Sequence, residues 1–488
     1  MSSASPPRLL DIAIQSVLQD EASAIDALEW LPVDLFRPLF TAAFQGGHRE
    51  TVKAMVFSWP FTYLRLGVLM EDCESLYDML KAALDGLEML LALKDRPKRC
   101  KLKQLDLRLN SGTEIWNTWL ATQSDGSLTS SEEPAATQPS TQTPKEGRSR
   151  SEEKHQLLPP VRVLIDLCFQ EEVMDEFLTL LSEIIKQGKA LPPLYCRKVE
   201  FVGDVPKFSI LEDILEMVRL DSVWDVEVRG PWDLHDLNWF GSYLARMVHL
   251  HTISFSGIVL DCLGLCMQKG VKKLLAEFST HFLCLHEVEC LILDGVFLHG
   301  HLHWLLKCLQ TPLKYLTIKD CMLVDSDLTC LSCCPCTSHL QSLDLSGVFC
   351  KGIHFGLLAD LLERLSATLT NLDLDSCGIK DSEFMALKPA LGHCTQLKYL
   401  AFSGNPVSSG VLLALMYHTM PRCQFSFLEL PVPPRCYVGP EDTLDEGSLE
   451  QVMEDLTLTL PPSRPHSISF LSYHSRNGSD AIIIDFKS

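Results

Sequence analysis

Apolar residues recur at helical spacing through the first hundred positions. Leu10, Ile14, Val17, Leu18, Ile25 and Leu28 share one face and predict a helix behind Pro6 and Pro7. Pro32 marks a break. Leu35, Phe36, Leu39, Phe40, Ala43 and Phe44 trace a second stripe that stops at Gly46 and Gly47. A third helix carries Val52, Met55 and Val56 and ends at Trp59-Pro60-Phe61. Residues 71–94, with Leu76, Met79, Leu80, Leu84, Leu87 and Leu91, predict a fourth.

Further on the period changes. LKYLTIKDC at Leu313, LQSLDLSGV at Leu340, LTNLDLDSC at Leu369 and LKYLAFSGN at Leu397 are spaced by 27, 29 and 28 residues. That spacing and the L-x-x-L-x-L core predict leucine-rich repeats, each one short strand and one helix. Looser copies begin at Leu250 and Val288, and earlier ones at Val161 and Cys196. LKQLDLRLN at Leu102 reads as a first strand. Within a repeat, Leu343 and Leu345 should point inward and Asp344 outward, because side chains alternate along a strand. Asn405 stands where a repeat asparagine bonds the backbone of the turn. Stretches such as FGLLADLLERLSATL carry helical spacing and should cover the other face. The fold class is therefore α/β, a leucine-rich repeat solenoid (horseshoe) with an N-terminal helical adaptor segment.

Between Thr122 and Gln156 the chain is rich in Ser, Thr, Pro and Glu and nearly free of large apolar residues. Such a tract cannot bury enough surface to offset the entropy of ordering. The expected division is a helical segment at 1–98, a first strand and flank at 99–121, and a disordered insertion at 122–158. Repeats at 159–430 and a C-terminal extension at 431–488 follow. With 63 acidic against 42 basic residues, the net charge of −21 argues against direct contact with nucleic acid or an anionic membrane. The first residues lack a secretory layout, and no uncharged apolar run is of spanning length. A cytoplasmic location, with nuclear entry open, is the expectation. The 19 cysteines then read as free thiols that behave as small buried hydrophobes.

DEASAIDALEWLPVDLF and PLFTAAFQGGHRETVKAMVFSWPFTYLRLGVLM, followed by KQLDLRLN, VRVLIDLCF, LDLDSCGIKDS and LKYLAFSGNPVS, resemble the PRAME family. The resemblance spans nearly the whole chain outside the insertion. It implies a substrate-recognition adaptor of a cullin-2 RING ubiquitin ligase, docked on elongin B and elongin C through an N-terminal helix. The implied elongin-binding residues are Leu18, Ala22 and Ile25. Ala22 stands where cysteine is common, and Ile25 comes one residue early. The implied cullin-2 box is Leu31, Pro32, Leu35 and Leu39. It also implies a rival role: a transcriptional corepressor or scaffold of nuclear-receptor signalling, of the retinoic acid receptor type. A member that keeps the fold but has lost ligase binding is a third.

Three L-x-x-L-L segments could serve the corepressor role, at Leu87–Leu91, Leu302–Leu306 and Leu358–Leu362. Leu358, Leu361 and Leu362 are the candidate nuclear-receptor box, although repeat helices need the same leucines for their own core. Cys330, Cys333, Cys334 and Cys336 resemble half of a zinc site that lacks a second ligand pair. His299, His301 and His303 alternate, but the WLLKCL that follows suits a loop entering a helix. No phosphate-binding glycine loop, G-x-S-x-G or H-E-x-x-H occurs. The expectation is a binding protein, not an enzyme, with no cofactor and no metal.

Overall fold

The first apolar stripe folds as two helices rather than one. The computed structural model describes residues 8–70, 73–93, 96–108, 161–170, 175–188, 191–205, 210–259, 269–296, 300–348, 354–423, 425–439, 443–459, 467–471 and 481–482. The expected insertion at 122–158 lies outside them. Helix α1 (Leu9–Leu18) ends before Asp20, whose extended backbone (φ −129°) opens α2 (Glu21–Ala27). The Asp20 carboxylate accepts the Ala22 N–H at 3.2 Å and the Ser23 hydroxyl at 2.6 Å. An aspartate that can cap a new helix competes with continuing the old one, and periodicity alone does not register that choice.

The chain divides into two compact units, the first being residues 1–166 with 175–195. After α2, Pro32 precedes α3 (Val33–Gln45), followed by α4 (Arg49–Phe57). A three-residue strand β1 (Tyr63–Arg65), α5 (Gly67–Met70), α6 (Leu76–Ala92), β2 (Gln104–Asp106), the start of β3 (Arg162–Gln170) and α7 (Glu176–Lys186) complete it. Strands β1, β2 and β3 pair in parallel, with Leu64, Leu105 and Val163 in register. The first strand of the stack is thus β1, ahead of the expected one at Leu102. It offers a single inward leucine, too short a pattern to read as a repeat. Trp59 anchors the unit's core, its ring 5.8, 5.0 and 5.5 Å from those of Phe36, Phe40 and Phe61. Its indole N–H donates to the Tyr63 carbonyl at 2.8 Å. Helix α6 passes so close to α4 that a Cβ at Gly86 would run into the Lys53 carbonyl.

The second unit, residues 167–174 with 196–488, holds the repeats. Strand β4 (Leu194–Val202) leads in, with α8 (Leu211–Met217) and a two-residue strand β5 (Val218–Arg219) beside it. Then come β6 (Asp225–Arg229), α9 (Leu234–Leu244), β7 (Thr252–Ser256), α10 (Lys269–Phe282), β8 (Cys290–Asp294) and α11 (Leu302–Leu306). The sharper copies follow as β9 (Tyr315–Lys319), α12 (Asp325–Cys333), β10 (Ser342–Asp344), α13 (Phe355–Leu365), β11 (Asn371–Asp373) and α14 (Asp381–His393). Strand β12 (Tyr399–Ala401), α15 (Ser409–Thr419) and β13 (Phe427–Pro431) end the series. These successive strands pair in parallel, so Leu291, Leu316, Leu343, Leu372, Leu400 and Leu428 form one buried row. The sheet runs on past residue 430. A small hairpin, β14 (Tyr437–Val438) with β15 (Thr443–Leu444), and α16 (Glu446–Thr459) precede β16 (Ser467–Leu471). Strand β16 adds to β13 in parallel, and β17 (Ala481–Ile482) to β16 antiparallel.

Two rows beyond the strands explain the irregular repeat sequence. Four residues after the inward leucines from Leu291 to Leu400 the turn takes a left-handed conformation, at Gly295, Gly347 and Gly404 (φ 59°, 67° and 68°). Asp320 and Ser376 occupy the same position with φ of 49° and 55°, so glycine is favoured there but not obligatory. One residue later, Cys321, Cys377 and Asn405 turn a polar atom onto the preceding repeat's backbone, with Asn405 making the fullest set of bonds.

Candidate functional site

Two surfaces stand out, one in each unit. On α1, Ile14 and Leu18 face the core, while Leu9 is 83% and Ile12 53% exposed and Val17 lies beside them. The helix is thus apolar over far more of its girth than its packing against α2 and α3 uses; only Asp11, Gln15 and Ser16 interrupt it. Beyond α2, Trp30 is 82% exposed, next to exposed Pro32 and Val33. The turn that carries them is held from inside. Arg99 donates to the Leu28, Glu29 and Leu31 carbonyls, and its guanidinium lies 5.3 Å from the centre of the Phe36 ring.

The residues implied for docking divide between this surface and the interior. Leu18 is only 2% exposed at the end of α1, Ala22 is exposed and Ile25 is half-buried on α2. The Asp20 break separates Leu18 from the other two. Pro32 is exposed, Leu31 and Leu35 are half-buried, and Leu39 at 3% is core. Sequence reasoning missed Leu9, Ile12, Trp30 and Val33. The available signal was apolar residues on α1 outside the stripe, and a tryptophan just after the predicted helix.

The second surface is the side of the repeat sheet turned away from the helices. At its β4–β6 end the charges are matched: Lys198 bridges Glu200 and Glu227 at 2.9 and 2.6 Å, and Arg229 bridges Glu200 and Glu227 at 2.7 and 2.5 Å. Toward β10–β13 acids face acids. Asp344 and Asp373 are register partners, and Asp375 and Glu429 lie close by. Burial, with the Asp375 and Asp344 charges adding to it, raises the Asp373 carboxyl to about 7. Burial and the Glu429 charge raise Asp375 to about 6, although the Ser403 N–H bonded at 2.6 Å opposes this. Glu429 is raised by burial and by Asp373, and burial raises the Tyr399 hydroxyl. Tyr399 stacks on Phe427 with ring centres 5.5 Å apart and planes within 2°.

A carboxyl whose folded pKa lies above its unfolded value near 4 favours the folded state only while protonated. The stabilising contribution from Asp373 is complete below about pH 4 and is lost as the pH rises through 7. Asp373→Asn is therefore expected to stabilise the protein by about 1–2 kcal/mol at about pH 8, discounted for partial solvent access, and by almost nothing at about pH 4. Chemical denaturation at the two pH values measures this. An equal effect at both would show that ionisation is not its source.

Leu358, Leu361 and Leu362 are all buried in the packing of α13, and Leu302, Leu305 and Leu306 are buried in α11. In the segment at Leu87–Leu91, Leu87 and Leu90 are buried and Leu91 is partly exposed. Among the described residues no group of three or more His, Cys, Asp or Glu side chains is arranged to hold a metal ion. His299 lies outside the described residues, whereas His303 bonds the Gly300 carbonyl at 3.0 Å. No described helix is long and apolar enough to cross a membrane.

Comparison with known proteins finds one family on both sides of the expected insertion. Residues 6–116 match the PRAME N-terminal domain and residues 161–488 the PRAME C-terminal domain. Human (Homo sapiens) PRAME family member 12 is 38% identical over 474 residues, covering 97% of this chain and 94% of its own. Human PRAME family member 8 is 38% identical over 469 residues, covering 96% and 94%; member 20 is 39% identical over 437 residues, covering 89% and 88%. Among solved structures, the leucine-rich repeat-containing protein LegL7 from Legionella pneumophila aligns with 61% of this chain and 98% of its own, at 13% identity and a TM-score of 0.34. That likeness is distant, and the fold assignment rests on the strand register above.

Proposed function

The chain belongs to the PRAME family, and from that premise we propose that it is a substrate-recognition adaptor of a cullin-2 RING ubiquitin ligase. The observation that carries the reading is the surplus apolar face of α1, with Trp30 and Pro32 one short helix away. A bare apolar helix face at a chain's surface is suited to lie in a partner's groove, and a solvent-facing tryptophan is a strong anchor. In this arrangement α1 and α2 meet elongin C in its complex with elongin B, and the turn at Leu31–Leu35 meets cullin-2. The strand face of the repeats holds the target, whose lysine is brought within reach of the recruited RING and its conjugating enzyme. The acidic β10–β13 end favours targets that present Lys or Arg, whose charge would offset the burial and mutual repulsion that raise Asp373 and Asp375.

The corepressor reading gains no such support from the candidate box, since offering Leu358, Leu361 and Leu362 to a receptor requires α13 to leave its packing. Co-purification of tagged full-length protein with elongin B, elongin C and cullin-2 tests the adaptor role. Leu9→Asp with Ile12→Asp is expected to lose elongin, and Trp30→Ala with Pro32→Ala to lose cullin-2 while retaining elongin. Substitutions at such exposed positions usually change stability by only about 0.5 kcal/mol. Leu39 is left unchanged, because its burial would make a loss of binding indistinguishable from unfolding. Full retention of all three partners by both variants overturns this placement.

A further inference from the structure

Two thiols meet where α12 ends and the chain turns toward β10. Cys334 follows the helix in an extended conformation, and Pro335 starts a single 3-10 turn, Pro335–Thr337, that returns Cys336 to it. The two sulfurs stand 3.2 Å apart. Cys330 stands one helical turn earlier, and its carbonyl accepts the Cys334 N–H at 2.8 Å. The turn is fixed around them. Arg364 donates to the Ser332 carbonyl and, at 2.7 Å, to that of Cys334, while Thr337 Oγ1 donates to the Leu331 and Cys334 carbonyls at 2.7 and 2.9 Å.

We propose that Cys334 and Cys336 form a peroxide-sensitive dithiol, a modification site that closes to an intramolecular disulfide. The sulfurs need approach by only about 1.1 Å to reach bonding distance. Cys334 is the attacking sulfur. Hydrogen bonds from Cys330 and then Cys336, with help from the Arg364 charge, lower its pKa, while Cys330 and Cys336 are raised and keep their protons. Burial instead raises Cys394 and Cys321 to about 12 and Cys290 to about 11, which keeps those thiols inert. Cys334 is 7% and Cys336 4% exposed, so the site calls for an oxidant as small as peroxide.

The steps balance with hydrogen peroxide as the two-electron oxidant. The Cys334 thiolate attacks one peroxide oxygen; the O–O bond breaks, hydroxide leaves and takes a proton to become water, and Cys334 becomes a sulfenic acid. Cys336 sulfur then attacks that sulfur. The S–S bond forms, the S–O bond breaks, and the departing hydroxyl takes the Cys336 proton as a second water. Two thiols and one peroxide give one disulfide and two waters.

The test is timed peroxide treatment of reduced full-length protein, then alkylation, digestion and fragment-ion mapping. Wild type is expected to give a Cys334–Cys336 disulfide, reversed by thiol reductant, with Cys334 consumed about tenfold faster than Cys394. Cys336→Ser should leave Cys334 as a sulfenic acid that dimedone traps. If Cys334 and Cys336 remain fully alkylated in wild type while the exposed Cys284 and Cys333 oxidise, the proposal is wrong. A disulfide mapping to Cys333 in place of Cys336 overturns it equally.

Discussion

Asn405→Ala is expected to cost about 3–5 kcal/mol, because one buried side chain closes hydrogen bonds for two repeats. Its amide nitrogen donates to the Leu374 and Phe402 carbonyls at 2.8 and 2.9 Å, and its oxygen accepts the Ile379 N–H at 2.9 Å. Alanine leaves those backbone groups without partners in a place that excludes water, and each buried orphan costs about 1–3 kcal/mol. Asn405→Asp keeps the acceptor for Ile379 but turns an oxygen against two carbonyls, so it should be no milder. Asn405→Cys should recover part of the loss, since Cys321 and Cys377 occupy the same row and donate to the preceding repeat through sulfur. Urea denaturation gives all three values. A cost for alanine below about 1 kcal/mol would mean that water takes over the bonds and that this row is incidental to repeat stacking.

Trp59→Ala should do comparable harm to the helical unit, about 3–5 kcal/mol. The indole is fully enclosed by Phe36 and Phe40 from α3 and by Phe61 from the turn before β1, so its removal opens a cavity that the flanking rings cannot refill. Trp59→Phe retains most of the ring contact and gives up the bond to the Tyr63 carbonyl, which limits its cost to about 1–2 kcal/mol. Denaturation followed by far-ultraviolet circular dichroism separates the two variants. Equal losses would assign the effect to the hydrogen bond rather than to packing. Because Phe36 lies on α3 just beyond Pro32 and also receives Arg99, the alanine variant should loosen the Trp30 turn as well.

How far the sequence spoke depended on whether neighbours had to be known. The leucine row from Leu316 to Leu400 was legible because each repeat states its own period, and Asn405 because its place in the period fixes its partners. Pro32 was legible as a break, and it stands as the residue that precedes α3, where proline's missing N–H is costless. The break at Asp20 was not, because the apolar stripe runs straight through it. Nor could a stripe reveal which apolar residues would be covered. Leu39 and Leu9 are alike in composition, yet α3 buries the first and nothing within the described residues covers the second. The L-x-x-L-L segments show the same ambiguity from the other side, since a core helix and an exposed receptor motif require identical leucines. The closeness of Cys334 to Cys336 depends on the turn around Pro335, which spacing alone leaves open.

Arg99 changes what kind of object the candidate docking surface is. The Leu31 carbonyl it grips lies 68 residues earlier in the chain, so the display of Trp30 and Pro32 is a composite of distant segments and not a portable linear motif. A short peptide copied from Leu9 to Leu39 would carry every apolar anchor but would have to freeze its own backbone on binding, a loss of chain freedom that the folded protein has already met. Natural variation is constrained in the same way: an altered turn near Leu31 and an altered residue at 99 would have to arise together to preserve one shape.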